Sequence, residues 1–442
     1  MRGRLWLVAG LGFASVLARA GSARAEVTIS KPADGWEIYT SGRVGAFVEV
    51  LEGDGVPQSY ANVNGVKTPI HPVGDGGVNA ASDPVIDPVD GSRSNGRLLA
   101  SRARSGFLGN ILTFGVRRQL TESTTVSGQI SIWATAETDS RRTFLKNLTD
   151  EREGFLRVDG PGGTLTLGRA LSLFSRGATE IDFLYGHGYA VGSPAGFDDF
   201  GPAGGHIGYG VLANVFVAGV TYATPKFRGL QLSVGYYDPA TLVGQYWTRT
   251  KFGRPEAEAT YDLALGDLGK LHVFANGAYQ KMYAADVPKS TDVYGAGGGA
   301  RVELGPFHLG VAAHYGQGLG VSYFLNGSDA ILAQNLSNEL RKFDGAYVQT
   351  QLVVSKFDFN VGWGVTRVHQ VTADIDPQYF DANTGQPAKS FLKSQMGISG
   401  VVVYHFSPFF HGALDYFRSD ARWWLGEKQV VNSFNAGATL TW

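Results

Sequence analysis

The chain has no cysteine among its 442 residues and only three methionines. Disulfide bonds and thiolate metal sites are therefore excluded. Charged residues make up 17% of the chain, and basic and acidic residues nearly balance at a formal net charge of −1. Beyond the first 25 residues, no segment approaches the roughly 20 apolar residues of a membrane-spanning helix.

The first 25 residues have the pattern of a secretory signal peptide. Met1–Arg4 is basic, the apolar run Leu5–Leu17 is too short to span a membrane, and Ala23–Ala25 forms an A-x-A cleavage site. A second such site at residues 18–20 leaves the exact cut open. Because this segment holds four of the 38 basic residues and no acid, the rest of the chain carries a net charge of −5, which does not support a nucleic-acid partner.

What remains, residues 26–442, alternates between apolar and polar residues with a period of two. In one clear example, Phe357, Phe359, Val361 and Trp363 alternate with Asp358, Asn360, Gly362 and Gly364. A β-sandwich would have an apolar inner face and a charged outer face. Here the second face is rich in Gly, Ser, Thr, Asn and Gln, which suits a water-filled lumen. An exported chain without helical spans can still be integral to a membrane if it forms a closed β-barrel.

Tight turns and long polar segments follow each other regularly along the chain. Turn pairs such as Pro161-Gly162 and Gly305-Pro306 alternate with long segments such as 171–213 and 317–342. Short turns at one end and long loops at the other are typical of an outer-membrane barrel. We therefore predict an all-β, transmembrane antiparallel barrel of about 16 strands. The expected strand starts are Trp36, Arg104, Thr124, Glu151, Gly163, Asn214, Gly229, Gly253, Lys270, Asp292, Phe307, Phe343, Phe357, Ser394, Phe409 and Gln429.

Aromatic residues are concentrated where the predicted strands end. Pairs such as Tyr236-Tyr237 and Trp423-Trp424 fit the aromatic girdles that lie at the two membrane interfaces. The last predicted strand ends on Trp442 and resembles the C-terminal strand of bacterial outer-membrane barrels. That resemblance implies that Trp442 lies at the lipid interface and belongs to the signal read by the barrel-assembly machinery.

Three short segments carry a more specific pattern. Residues 38–44 read as an aromatic followed shortly by Gly-Arg-Val, residues 163–169 as G-x-L-x-x-G-R, and residues 220–230 as a strand, a Thr-Pro turn and a second strand. In these segments and in its layout, the chain resembles the Gram-negative general porins. That family consists of trimeric 16-stranded barrels, so the resemblance implies a homotrimer in the outer membrane.

The resemblance also assigns a role to the long third loop, residues 171–213. In the family this loop folds into the lumen, and its acids face a ladder of arginines on the wall. The corresponding residues are Arg43, Arg104 and Arg169 on the wall and Glu180, Asp182, Asp198 and Asp199 in the loop. Strict alternation places Arg43 inward but puts Arg169 beside Leu165 and Leu167, so Arg169 reaches the lumen only if its strand bulges or ends there. Ala223 stands where some members have a further arginine, which shortens the basic ladder.

The expected function is passive diffusion of small hydrophilic solutes and ions through a charged constriction, without a cofactor, a metal or an energy source. Two other channel types stay open: a porin selective for sugars, carboxylates or phosphate, and a plugged structural or adhesive barrel. An outer-membrane hydrolase is disfavoured because the nine histidines are scattered and no G-x-S-x-G or H-E-x-x-H motif occurs.

The first external loop, residues 51–103, is unusually long. Its aspartates could bind Ca²⁺, a cation that takes oxygen ligands, but their spacing is not that of an EF-hand. These aspartates are Asp75, Asp83, Asp87 and Asp90. A solvated surface loop is therefore the preferred interpretation, with capping of the pore or latching of a neighbouring subunit as further possibilities.

Overall fold

The computed structural model describes most of the chain after residue 25. The described residues are 26–32, 34–55, 57–63, 66–72, 97–105, 110–134, 149–183, 206–213, 215–240, 250–284, 288–321, 339–380, 382, 385 and 390–442. The predicted signal peptide lies outside them, and so do the four first-loop aspartates considered as Ca²⁺ ligands. No helix in the described part of the chain is long and apolar enough to cross a membrane.

β-Strands dominate the described residues. They are β1 (Val27–Ser30), β2 (Trp36–Asp54), β3 (Gln58–Val63), β4 (Val66–Pro72), β5 (Arg97–Arg104), β6 (Asn110–Thr121), β7 (Thr124–Ala134), β8 (Thr149–Gly160), β9 (Gly163–Leu171), β10 (Phe216–Ala223), β11 (Leu230–Tyr237), β12 (Arg254–Ala264), β13 (Lys270–Tyr283), β14 (Ser290–Leu304), β15 (Phe307–Gln317), β16 (Lys342–Val354), β17 (Phe357–Val368), β18 (Leu392–Ser407), β19 (Phe410–Trp423) and β20 (Lys428–Thr441). Two short α-helices, α1 (Arg176–Ile181) and α2 (Thr372–Ile375), and two 3₁₀ turns, Gly266–Leu268 and Pro377–Tyr379, lie between strands.

The strands form a closed antiparallel barrel of 16 positions. The sheet contains 18 strands, because at each of two positions in the barrel two shorter strands follow one another in place of a single one. β5 and β6 pair one after the other along one edge of β2. Along the other edge of β2, β20 is followed in the same way by β1. β3 and β4 form a separate hairpin in the first loop.

The alternation of turns and loops predicted from the sequence is confirmed. Two-residue turns such as 161–162, 305–306 and 355–356 connect the strands at one end, and the long connections lie at the other. Each predicted strand start but one lies within two residues of the observed start. The exception is the second barrel strand, predicted to start at Arg104, which begins at Arg97 because residues 97–100 pair with Leu51–Asp54. The predicted first loop, 51–103, is therefore shorter at both ends.

The two faces of the strands differ as the alternation predicts. Outward side chains are apolar and exposed, for example Val48 at 56% and Val361 at 60% of their full surface. Inward side chains are polar and buried, for example Glu49 at 0% and Asn360 at 2%. Such a distribution would be unfavourable in water and is favourable where the outer face contacts lipid.

Adjacent aromatics at the strand ends do not all lie at the lipid interface. Tyr236 points outward and is 55% exposed, whereas Tyr237 points into the barrel and is 2% exposed. Phe417 and Trp423 are likewise buried inside. In these pairs the girdle interpretation holds for one residue only, because neighbours within a strand face opposite sides. Phe409 and Phe410, at a turn, are both exposed.

Residues Gly42 and Trp442 close the barrel. The Trp442 amide donates to the Gly42 carbonyl at 3.0 Å, and the Gly42 amide donates to the Trp442 carbonyl at 2.7 Å. The indole of Trp442 lies directly over Gly42, so that a Cβ at position 42 would be 2.6 Å from the ring and 2.5 Å from the Ile111 carbonyl. Only glycine fits here without displacing the terminal strand.

We expect Gly42→Ala to destabilise the folded barrel by about 1–3 kcal/mol, because the added methyl group overpacks the contact between β2 and Trp442. The measurement is the midpoint of unfolding in urea, with the folded fraction determined from heat-dependent mobility in detergent gels. Gly400→Ala is the matched control, since a Cβ at that outward strand position has no neighbour within 4 Å. Equal midpoints for the two variants would contradict this account of closure.

Candidate pore constriction

The third loop leaves β9 and immediately packs against the inward face of β12. The Phe174 amide donates to Glu256 Oε2 at 2.7 Å, and the Gly177 amide donates to Glu258 Oε1 at 3.2 Å. The Arg176 guanidinium pairs with the Glu258 carboxylate. Both members of this ion pair are buried, so the start of α1 is attached to the wall by charge as well as by hydrogen bonds.

The rest of α1 is held by inward side chains of β16. The Tyr347 hydroxyl donates to the Ala178 carbonyl at 2.7 Å, and Gln349 Nε2 donates to the Ile181 carbonyl at 2.8 Å. Gln349 Oε1 in turn accepts from the Phe183 amide at 3.1 Å. These bonds satisfy carbonyl groups at the end of a helix too short to satisfy them itself.

The returning arm of the loop, residues 206–213, continues across the next strands. The Tyr209 hydroxyl donates to Ser419 Oγ on β19 at 2.7 Å, and the Gly210 amide donates to Thr366 Oγ1 on β17 at 2.9 Å. Gln395 Nε2 on β18 donates to the Gly208 carbonyl at 3.0 Å. Burial raises the pKa of Tyr209, so its hydroxyl remains protonated and able to donate.

The two arms are joined by Asp182 and His206. Asp182 Oδ2 accepts from the His206 amide at 2.9 Å and lies 3.3 Å from His206 Nδ1. The His206 ring stacks on Tyr347 with centroids 5.0 Å apart and an interplanar angle of 6°. Asp182 and His206 are both buried, so they hold the loop together rather than face a passage.

Glycines on the inward face allow the loop to approach the wall closely. A Cβ at Gly364 would be 1.9 Å from the Tyr209 carbonyl, and one at Gly362 would be 2.4 Å from the His206 ring. A Gly-rich inward face suits a water-filled lumen, but at these two positions the loop occupies the space beside the glycines.

An apolar cluster fills the external end of the same side of the barrel. Phe174 and Leu212 of the third loop meet the inward ends of β13, β14 and β16–β19 there. Described residues of the loop between β15 and β16 also belong to it. The buried members are Phe174, Leu212, Ala278, Met282, Ala284, Val293, Leu319, Val321, Leu340, Phe343, Val368, Leu392, Ala421 and Trp423. The half of the lumen bounded by β12–β19 is therefore largely packed.

The opposite wall retains exposed polar surface. On β7, β9, β10 and β11, inward side chains toward the short-turn end remain partly exposed, although Ser131 and Trp133 on β7 and Ser233 and Tyr237 on β11 are buried. On β18 and β19, by contrast, Gln395, Ser399 and Ser419 are at most 2% exposed. The partly exposed residues are Thr125, Ser127, Gln129, Thr164, Thr166, Thr221 and Gln231. Exposed hydroxyl and amide groups on an inward face indicate space that water can enter.

Arg43 lies on the inward face of β2, as alternation predicts, and is 7% exposed. Arg104 pairs with Phe47, an inward residue, in the register of β5 and β2. The side chain of Arg104 lies outside the described residues. β2 lies across the barrel from the strands that contact α1, so Arg43 is on the opposite side of the lumen from the helix.

Arg169 does not line the lumen. It is exposed and lies opposite Ala218 and Gly154 in an unbroken register, on the outward face with Leu167. The sequence allowed an inward Arg169 only if the strand bulged or ended before it, and neither occurs. The assignment of Arg169 to the basic wall is therefore corrected.

The acids predicted for the third loop differ in their exposure to solvent. Glu180 is partly exposed and lies 3.8 Å from Arg176 on the same turn of α1, whereas Asp182 is buried against His206. Asp198 and Asp199 lie outside the described residues. Of the four acids, Glu180 is the one in a described segment that retains contact with solvent.

Charges on β12 were missed by the sequence reasoning. Arg254, Glu256 and Glu258 alternate with Pro255 and Ala257, so period-two spacing puts three charges on one face of a strand. All three are buried inside the barrel, and the two acids anchor the third loop. The spacing was a visible signal, because carboxylates on an inward face need a basic or amide partner.

Three inward histidines have separate partners along the wall. These contacts are His272 Nδ1 to Asp262 Oδ1 at 2.6 Å, His308 Nδ1 to Gln351 Oε1 at 2.7 Å, and His405 Nε2 to Asp358 Oδ2 at 2.9 Å. Among the residues that the structure describes, no group of three or more His, Asp or Glu side chains is placed to hold a metal ion.

A closed 16-stranded barrel with an apolar outer belt, a polar interior and a long loop packed inside defines a channel protein of the outer membrane. The family model of the Gram-negative porins matches residues 12–386. The chain belongs to the Gram-negative porin family, and it is an outer-membrane channel through which small solutes diffuse passively.

Several solved structures have the same fold. The outer membrane channel DcaP of Acinetobacter baumannii covers 94% of this chain and 100% of its own, at 14% identity and a TM-score of 0.63. The anion-selective porin from Comamonas acidovorans covers 92% and 100%, at 12% identity and 0.56. OmpT of Vibrio cholerae covers 94% and 99%, at 15% identity and 0.53. No curated protein matches the chain.

We expect Glu258→Gln to loosen the first arm of the third loop, because it removes the buried carboxylate that pairs with the Arg176 guanidinium. Breaking a buried ion pair from one side destabilises the local structure by about 3 kcal/mol. Hydrogen exchange of residues 172–183 should therefore become faster while exchange of the barrel strands stays unchanged.

Two further variants serve as controls for this prediction. Arg176→Met combined with Glu258→Gln removes both charges and should restore part of the protection. Asp262→Asn removes an acid from the more exposed pair with Lys226, on the same strand as Glu258, and should leave the loop unaffected. Equal exchange in wild type and Glu258→Gln would show that the ion pair does not anchor the loop.

Proposed function

We propose that the channel is a general diffusion porin whose open passage lies to one side of the barrel. The observation that carries this proposal is the contrast in burial between the two walls. Most inward side chains of β12–β19 are covered by the third loop and the apolar cluster, whereas several of those on β7 and β9–β11 keep exposed polar surface. A solute would therefore pass between the loop and the β7–β11 wall.

The proposed constriction has charges of opposite sign on its two sides. Arg43 supplies positive charge from β2, and Glu180 supplies negative charge from the solvent-exposed side of α1. In the proposal Arg104, Asp198 and Asp199 add to these two sides. Because Arg43 is largely buried, it acts through the field in the lumen and not by direct contact with a solute.

A transverse field of this kind orders water and favours small polar or dipolar solutes over apolar ones. Diffusion down a gradient needs no catalytic group, so we propose that the protein is not an enzyme and uses no cofactor. Polar groups on the partly exposed wall are hydroxyls and amides for the most part, which favours broad passage over selection of one sugar, carboxylate or phosphate.

We propose that the protein assembles as a homotrimer in the outer membrane. The resemblance to the general porins supports this, and OmpT of Vibrio cholerae is known in a trimer form. The apolar outward belt would contact outer-membrane lipid and the neighbouring subunits. We further propose that residues 1–25 direct export and that the strand ending in Trp442 is recognised by the barrel-assembly machinery.

Single-channel recording in planar bilayers under a KCl gradient tests the proposed constriction. The conductance of wild type should change in groups of three equal steps, one for each subunit of a trimer, and no particular solute should block it. Arg43→Gln removes positive charge, so the reversal potential should move toward cation preference. Glu180→Gln should move it in the opposite direction. Each permeability ratio should change roughly twofold, as expected for a single charge near a water-filled lumen.

If the reversal potentials of the two variants equalled that of wild type, Arg43 and Glu180 would not contribute to the charge of the constriction. Tight block by one solute class would favour the selective porin. Absence of conductance from correctly folded protein would indicate a plugged structural barrel. Lys31→Gln is the control, since Lys31 is an exposed cation outside the barrel strands and should not change the selectivity.

A further inference from the structure

Two histidines lie opposite each other at the short-turn end of the barrel. His405 is near the end of β18 and His411 is near the start of β19, and the two are direct partners in the register of these strands. Their ring centroids are 5.8 Å apart, with an interplanar angle of 51°. Two imidazoles at this spacing can bind the same ligand only if both rings face the same side of the sheet.

A β-bulge brings both histidines to the inward face. The register of β18 and β19 shifts by one residue between His405 and Ser407, so Phe406 is an extra residue on β18. Without this shift His405 would lie opposite Gly412, and His411 would point toward lipid, because neighbours in a strand face opposite sides. Bulges redirect side chains in this way, and they are common beside functional sites.

The surroundings of the two rings agree with the inward direction. His405 Nε2 lies 2.9 Å from Oδ2 of Asp358, a buried side chain on the inward face of β17. His411 shares its face with the buried Ala413, whereas the outward Leu414 is exposed. The His405 side chain keeps 30% of its surface exposed, so an ion dissolved in the lumen can reach the pair.

The distance between the two rings suits a single metal ion. A metal bonded to an imidazole nitrogen at about 2.0–2.1 Å lies about 3.2 Å from the centre of the ring. Two rings on one ion then have their centres about 5.2 Å apart at a tetrahedral angle and about 6.4 Å apart when they are in line. The observed separation of 5.8 Å lies between these two values.

Asp358 is the kind of partner that a metal-binding histidine commonly has. When its carboxylate accepts from Nε2–H of His405, the neutral ring has its lone pair on Nδ1. A carboxylate behind a ligand histidine fixes the tautomer in this way and makes the ring a stronger ligand. The charge of Asp358 also offsets that of Arg43, which acts on His411 electrostatically from β2.

We propose that His405 and His411 bind one divalent transition-metal ion, Zn²⁺ or Cu²⁺, at the short-turn end of the lumen. Imidazole nitrogen suits both ions, whereas Ca²⁺ and Mg²⁺ prefer oxygen ligands. The protein supplies two ligands and water fills the remaining positions, so no third His, Asp or Glu side chain is needed. Binding of the ion does not depend on the route that solutes take through the lumen.

The first test is titration of the full barrel with ZnCl₂ in detergent, followed by calorimetry. The protein is made without a polyhistidine tag, and wild type should bind one Zn²⁺ per chain. His405→Gln and His411→Gln should each lower the affinity about 100-fold, and Asp358→Asn about tenfold, because loss of a ligand costs at least as much as loss of the group that supports it. Unchanged heat-dependent gel mobility confirms that each variant is folded.

The second test is electron paramagnetic resonance of the barrel with one equivalent of Cu²⁺. Wild type should show coupling of the copper electron to two imidazole nitrogens, and each single histidine variant should show coupling to one. The spectrum of wild type alone reports the number of nitrogen ligands, so this test does not require that any variant folds.

His272→Gln is the matched control for both tests. His272 also faces inward near the short turns and lies 2.6 Å from a carboxylate, that of Asp262. Its partners in the register are Asp262 and Arg301, so no second histidine lies opposite it. The His272→Gln variant should therefore bind Zn²⁺ and Cu²⁺ like wild type.

Three results would overturn the proposal. The double variant His405→Gln and His411→Gln could bind Zn²⁺ as tightly as wild type. The Cu²⁺ spectrum of wild type could show a single nitrogen ligand. The control His272→Gln could lower the affinity as much as His405→Gln does, which would indicate weak binding to histidines in general and not to this pair.

Discussion

The structure depends first on hydrogen bonding of the backbone inside a hydrocarbon layer. No water is available there, so every strand must have a partner on both edges and the sheet must close on itself. The sheet closes where Gly42 and Trp442 exchange two backbone hydrogen bonds. Beyond this point β1 continues the pairing along the same edge of β2. Once the sheet is closed, alternation alone decides which side chains contact lipid and which face the lumen.

Function then follows from how the interior is filled. The third loop is held on one side by carboxylates of β12, by Tyr347 and Gln349 of β16, and by hydroxyl and amide groups of β17–β19. Those contacts divide the lumen into a packed half and a half whose polar wall is still partly exposed. The loop thus narrows the cross-section of the lumen without blocking it. Hydrogen bonds and buried charge hold it there, because apolar contact alone would not fix its register against a polar wall.

Strand positions and their faces could be predicted from the sequence because both depend on local rules. Period-two alternation and two-residue turns are visible in any single strand, and Arg43 was placed correctly by alternation. The position of the loop could not be predicted in this way, since it depends on contacts between residues far apart, such as Tyr209 with Ser419. Arg169 shows the same limit, because the family pattern favoured the lumen while alternation favoured lipid, and alternation was correct. The inward glycines could be located but not interpreted, because an empty position and a position filled by another segment look identical in sequence.

We propose that solutes pass along the β7–β11 wall and not along the β17–β19 wall. Since the natural chain has no cysteine, single cysteines can be introduced without background reaction. Thr166→Cys on the exposed wall should react with a charged thiol reagent in the bilayer, and the conductance should then fall. Ser399→Cys, 2% exposed behind His206, should react slowly and leave the conductance unchanged. Rapid reaction and block at Ser399→Cys, with none at Thr166→Cys, would contradict the account.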